Sequence, residues 1–154
     1  MKRWKKWSLA LLAVFLLRTE HTGIRVDRLD PVESIRIHLE AGGIVIETDT
    51  GAMGVGNSLD KALENLQSSC SATVFLETTR YILLDSRTEQ LIPQLYDLFR
   101  PNTRVCLLRG TGDLPELTKY LNHHRLRTRL LDVIAVGKAV PTLYYQEGRG
   151  QLVE

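Results

Sequence analysis

The sequence predicts a single α/β domain, a mixed β-sheet with helices packed on it, preceded by an N-terminal membrane-anchor or signal segment. Three observations carry this. Short β-rich runs recur between segments whose apolar residues have helical spacing. The stretch Ile35–Glu47 reads as a hairpin, which argues against a purely parallel sheet. The first 17 residues differ in composition from everything after them. The division that follows is a signal-anchor-like segment and tether over 1–22 and one domain over 23–154.

Lys2, Arg3, Lys5 and Lys6, with Trp4 and Trp7 among them, precede the uncharged run SLALLAVFLL from Ser8 to Leu17. A basic cap before a short apolar run is the pattern of a secretory signal or an uncleaved signal anchor. The run is shorter than the roughly 20 residues of a full membrane span. The basic end would stay cytoplasmic and the domain would face outward. No A-x-A-like cleavage site lies near Leu16–Glu20, and no cysteine follows the run for lipid attachment. The expectation is a single N-terminal anchor on the extracytoplasmic face of the cell membrane, or secretion if the segment is cleaved. A buried or amphipathic N-terminal helix is the alternative.

The composition, 44% hydrophobic and 25% charged, is that of an ordinary globule. Removing the four basic residues of the first six takes the net charge from +2 to −2. A nucleic-acid-binding domain concentrates basic charge on one face, so no nucleic acid is expected as a partner.

Along the chain, Ile35, Ile37 and Leu39 alternate with Arg36, His38 and Glu40, the period of a half-buried strand. Gly42-Gly43 supplies the turn. Ile44–Glu47 returns, and Thr48–Gly51 ends the strand. Leu59, Ala62, Leu63 and Leu66 then form one helical stripe, capped by Asn57 or Ser58. Thr73–Leu76 and Tyr81–Leu84 are β-rich and broken around Glu77–Thr79. The next helix opens at Thr88-Glu89 and is delayed by Pro93; it sets Leu91, Ile92, Leu95, Leu98 and Phe99 on one side. Arg104–Arg109 is apolar enough for a central strand. Asp113 and Pro115 start a helix with the stripe Leu114, Leu117, Tyr120 and Leu121. A basic segment, His123–Arg129, leads to the apolar run Leu130–Val136, which Gly137 stops. Thr142–Gln146 and the final Gln151–Glu154 flank a second hairpin turn.

The candidate anion-binding loop comprises Gly51, Gly54, Gly56, Asn57 and Ser58, set between a strand and a helix N-terminus where free amides can hold a phosphate. No lysine stands where a Walker loop needs one, and Leu59 occupies the third glycine position of the dinucleotide pattern. The plain reading is a connecting loop. Asp49-Thr50-Gly51 matches three letters of an aspartic-protease motif, but a helix follows where a strand is needed and no second carboxylate is supplied. His123-His124 with Arg125, Arg127 and Arg129 reads as a solvated connection or as a surface for an anionic partner such as lipid headgroups. Cys70 and Cys106 lack metal or catalytic spacing, and an exported domain leaves open whether they pair. No nucleophile elbow surrounds any serine. No catalytic residue, metal ligand or cofactor is assigned.

Gly56-Asn57-Ser58-Leu59 with Ala62-Leu63 and Leu66, then Val74-Phe75-Leu76 and Tyr81–Leu84, then Leu91-Ile92 through Phe99-Arg100 and Arg104-Val105, form a connected pattern. It resembles the N-terminal domain of the C-subunit lipoproteins of spore nutrient-germinant receptors, as does Gly137–Pro141. The resemblance spans about Ile35 to Pro141. It implies a non-catalytic, membrane-tethered module in an endospore-former. Two functions stand. One is a membrane-anchored extracytoplasmic interaction module with a protein partner, in spore envelope or germination assemblies. The other is a small ligand- or phosphate-binding domain or enzyme using the loop Gly51–Ser58.

Overall fold

The computed structural model describes residues 29–154, so the expected N-terminal segment and tether over 1–22, with 23–28, lie outside the described residues. A short strand β1 (Leu29–Pro31) leads into the hairpin β2 (Ser34–Glu40) and β3 (Gly43–Thr48), and then β4 (Met53–Gly56) and helix α1 (Leu59–Ser69). After β5 (Thr73–Phe75), a 3-10 turn over Leu76–Thr78 separates it from β6 (Tyr81–Leu84). Helix α2 (Ile92–Leu98), β7 (Arg104–Gly110), α3 (Leu114–His123), α4 (Leu130–Val136) and the hairpin β8 (Thr142–Gln146) and β9 (Arg149–Val153) complete the domain.

The main sheet has seven strands in the order β4-β3-β2-β6-β7-β8-β9, and β1 pairs with β5 outside it. Strands β2, β6, β7 and β8 run parallel, while β3, β4 and β9 are added through antiparallel pairings. The mixed α/β sheet expected from the leading hairpin is therefore present.

Alternation decides the two faces. Ile35, Ile37, Ile44, Ile46, Ile82, Leu84, Val105 and Leu107 meet α1, α2 and α4 through Leu59, Ala62, Leu66, Ile92, Leu95 and Leu130. On the opposite face Tyr81, Leu83, Cys106, Leu143 and Tyr145 meet only α3, through Leu114, Leu117 and Leu121. Burying a Leu or Ile side chain stabilises by about 1.5–3 kcal/mol, so the two apolar layers set the order of the strands as much as the ladder bonds do. A buried hydroxyl pair, Ser34 to Thr118, ties β2 to α3; Thr118 in turn donates to the Leu114 carbonyl at 2.8 Å.

Several local expectations shift. The segment Met53–Gly56 is a strand, not part of a connecting loop, because its residues pair with Ile44–Glu47 of β3. Leu63 is only half-buried, since the α1 contact centres on Leu59, Ala62 and Leu66. Leu98 is exposed at 45%, because the chain leaves α2 there and Phe99 turns inward instead. Tyr120 is half-buried, and Thr118 takes its place in the α3 stripe. Pro93 sits at the start of α2 after a 3-10 turn over Glu89–Leu91, as its missing amide requires.

Cys70 and Cys106 are both free thiols. They lie on opposite faces: Cys70 packs against the three-helix layer and Cys106 is enclosed in the α3 layer, where burial pushes its thiol up to about 12. A bridge between them would have to pass through the sheet. A thiol reagent should therefore modify Cys70 alone in the native protein and both cysteines after unfolding. Failure to label either in denaturant would reveal a disulfide. Leu66→Ala, at a site with no exposure, should destabilise by about 2–5 kcal/mol in denaturant melts, and Leu63→Ala by clearly less.

Candidate functional site

The glycine-rich stretch is built by close packing. Gly54 and Gly56 alternate on β4 so that both backbones face α1. A Cβ on Gly54 would meet the Ala62 carbonyl oxygen and Leu66, and one on Gly56 would meet the Lys61–Ala62 backbone. Helix α1 lies directly on the strand, and no residue with a side chain allows that approach. Gly51, at φ +87, serves the turn between β3 and β4, donates to the Thr48 carbonyl at 3.0 Å, and has open space where a Cβ would stand. Ser58 caps α1 by accepting from the Lys61 amide at 3.3 Å. The amide of Val55 is already taken by the Asn65 side chain at 3.0 Å. Packing and capping thus account for Gly54, Gly56 and Ser58, while Asn57 connects the strand to the helix.

Asp49 closes the turn below β2. Both of its carboxylate oxygens accept from the Glu33 amide at 3.2 Å. Burial raises its pKa from the ordinary carboxylate value, while the amides of Ser34 and Glu33 pull it back down. Its bonding is that of a turn anchor.

A polar crevice lies elsewhere, over the carboxyl half of β2. After β6 the chain passes to the three-helix face, whereas after β7 it passes to the α3 face. Divergence of adjacent connections to opposite faces opens a gap at strand ends, the usual place for ligands in open α/β sheets. Here Arg36, His38, Asp85, Leu108 and Gly110 line a cavity of about 280 Å³. Arg36 donates to Glu47 at 2.7 Å and to the Gly112 carbonyl at 3.1 Å. Burial works against ionisation of Asp85, but hydrogen bonds from the Arg87 backbone and side chain and the Leu39 amide hold its pKa below the ordinary value. His38 contacts Glu40 through Nε2 at 3.1 Å, and its Nδ1 is buried without a partner. The positive and negative groups here are matched to neighbours within the chain.

Sequence reasoning missed this crevice because it needs the strand order. One signal was present: Arg36 and Glu47 stand directly opposite once the Gly42-Gly43 turn fixes the hairpin register. Among the described residues no three His, Cys, Asp or Glu side chains gather as metal ligands. No helix among them is long and apolar enough to cross a membrane.

The close approach at Gly54 makes a sharp expectation. Gly54→Ala should unfold or strongly destabilise the domain, because α1 cannot retreat without exposing Leu66. ATP, GTP, NAD or inorganic phosphate at saturation should leave the melting temperature of the unaltered chain unmoved. Binding at a hundredfold excess over Kd would stabilise by about 2.7 kcal/mol, well within reach of a thermal melt. A reproducible rise with any of them would restore the anion-binding reading of Gly51–Ser58.

Set against models of protein families, curated proteins and solved structures, the chain matches none of them.

Proposed function

We propose that this chain is a non-catalytic interaction module held by its N-terminal segment at the extracytoplasmic face of a membrane, in the setting of spore envelope or germination assemblies. The observation that carries the module reading is the packing of Gly54 and Gly56 against α1, which gives the glycines of the one candidate ligand loop a structural task. The membrane side of the reading is supported by the basic cap Lys2–Lys6 followed by the uncharged run Ser8–Leu17. The spore setting is supported by the resemblance of the Gly56–Val105 pattern to germinant-receptor C subunits. Surfaces for a protein partner are at hand at both sheet edges, where Met53 and Val55 on β4 and Tyr144 and Val153 on β8 and β9 are exposed. Exposed apolar side chains grouped at a sheet edge favour contact with another chain.

Fractionation tests the anchor. The full chain should sediment with membranes and resist a high-salt wash, whereas a chain beginning at Gly23 should stay soluble. Equal amounts of both in the soluble fraction would count against membrane attachment.

A further inference from the structure

Seven large apolar side chains are exposed on the described residues, and three of them, Leu98, Ile134 and Val136, lie on α2 and α4. Val136 is 79% exposed. The two helices pack on each other, which puts these side chains on neighbouring elements. The segment that leads into α4 is the basic stretch His123–Arg129. Its Leu126 and Thr128 are buried, which fixes the loop, while Arg125 and Arg127 are exposed and form no ion pair among the described residues.

The loop is joined to a second group of arginines. Arg129 bridges to Arg104 and donates to the Asn102 side chain at 3.5 Å. Asn102 and Arg104, with Arg80, Arg100 and Pro31, line a cleft of about 660 Å³ at the amino ends of β2, β6 and β7. Glu33 pairs with Arg80, Glu77 with Arg100 and Asp132 with Arg129, while Asp30 and Asp97 lie on the adjoining strand and helix. Arg104 rests on the Tyr81 ring at 5.8 Å, and Lys138 adds a charge beside Asp132. Across 29–154 there are thirteen Lys and Arg against sixteen Asp and Glu, yet seven of the thirteen gather at this end.

Pro31 on the same cleft means that the chain enters the domain here. Between Leu17, the last residue of the apolar run, and Leu29 there are eleven residues. Such a length reaches at most about 40 Å fully extended and spans roughly 18 Å as a coil. A domain on so short a tether stays near the lipid surface, with the arginines on the side where the tether attaches.

We infer that this end of the domain docks on the anionic headgroup surface of the membrane, Arg104, Arg125 and Arg127 meeting lipid phosphates while Ile134 and Val136 enter the interfacial layer. The inference rests on the N-terminal segment holding the chain at a membrane. Basic residues beside exposed apolar ones are the combination that an interface rewards, since the apolar part leaves water while the charges stay at phosphate depth. The attraction fades within a Debye length of about 8–10 Å, and a short tether keeps this end of the domain near that range. Each arginine near an anionic leaflet contributes about fivefold in partitioning, the equivalent of about 1 kcal/mol. Neutralising Arg125 and Arg127 together should therefore weaken docking roughly 25-fold.

Hydrogen exchange of the full chain tests this with nanodiscs of phosphatidylcholine alone or mixed with phosphatidylglycerol. Residues 123–136 should exchange more slowly on the mixed discs, with the β8–β9 hairpin unchanged. High salt and R125Q/R127Q should each remove the difference, and I134S/V136S should reduce it. R109Q/R149Q, at the opposite end, should leave it intact. Identical exchange on both discs would overturn docking, as would protection confined to other surfaces. Protection of 123–136 without lipid, rising with protein concentration, would assign the patch to a second copy and overturn it too. If the chain washes off neutral discs but is retained by mixed ones through Arg125 and Arg127, the anchor fails while docking stands. If it is held on both discs with equal exchange, the anchor stands and docking fails.

Discussion

The domain depends on strand β2. Its one edge takes the antiparallel β3 and its other edge the parallel β6, so seven residues join the two kinds of sheet. Its two faces are equally committed. Ile35 and Ile37 are fully buried in the three-helix layer, while Ser34 and Arg36 on the other side bind Thr118, Glu47 and the Gly112 carbonyl. A one-residue slip would send Ile35 and Ile37 into the polar crevice and Arg36 into the core. Such a slip changes every side chain's face at once, which is why a strand with contrasting faces holds its register.

From β2 outward the two halves are covered differently. Helix α1 closes the three-helix face over β3 and β4 through the glycine approach, while the opposite face of those strands has no helix over it. There Arg36, His38 and Glu47 stand beside Met53 and Val55. Helix α3 ends this open region on its other side, with Asp113, Leu114 and Pro115 facing Asp49, Ala52 and Met53 across a cavity of about 250 Å³. Arg36 and Glu47 are paired within the chain and Asp49 is held by the Glu33 amide, so a partner laid over them would meet groups whose hydrogen bonds are already made. Desolvating such a surface costs less than desolvating free charges, because the hydrogen bonds are kept.

Much of the fold was legible in the sequence because its signals were local. The Ile35–Leu39 alternation, the Gly42-Gly43 turn, the Ser58 cap and the Pro93 and Pro115 helix starts all act within a few residues. What was not legible depended on distant partners. Met53–Gly56 has no β-rich run of its own and becomes a strand because β3 offers an edge and α1 a lid. Gly54 and Gly56 looked like part of a ligand loop for the same reason, since close approach to a helix and close approach to a phosphate both demand the missing Cβ. Leu63 and Leu98 fit their helical stripes, yet each lies at the margin of its contact, where periodicity cannot say how far the neighbouring layer extends. The crevice at Arg36, His38 and Asp85 required the strand order, and that order becomes visible only when β6 and β7 are seen to send their connections to opposite faces.

The ends of the sheet now acquire different tasks. The amino ends of β2, β6 and β7 carry Arg80, Arg104 and the point where the chain arrives, and the loop of Arg125 and Arg127 closes beside them. Asp85 and Gly110 lie at the carboxyl ends of β6 and β7. Because these strands are parallel, a domain resting on its amino-end arginines presents its carboxyl-end crevice away from the surface it rests on. Parallel pairing would thereby convert a local charge asymmetry into an orientation of the domain. On a domain so placed, the antiparallel edge strands β4 and β9 would stand to either side, clear of that surface and open to a neighbour lying on it. That geometry suits a module whose partners are held on the same surface, since confinement to a plane raises their effective concentration without any additional contact area.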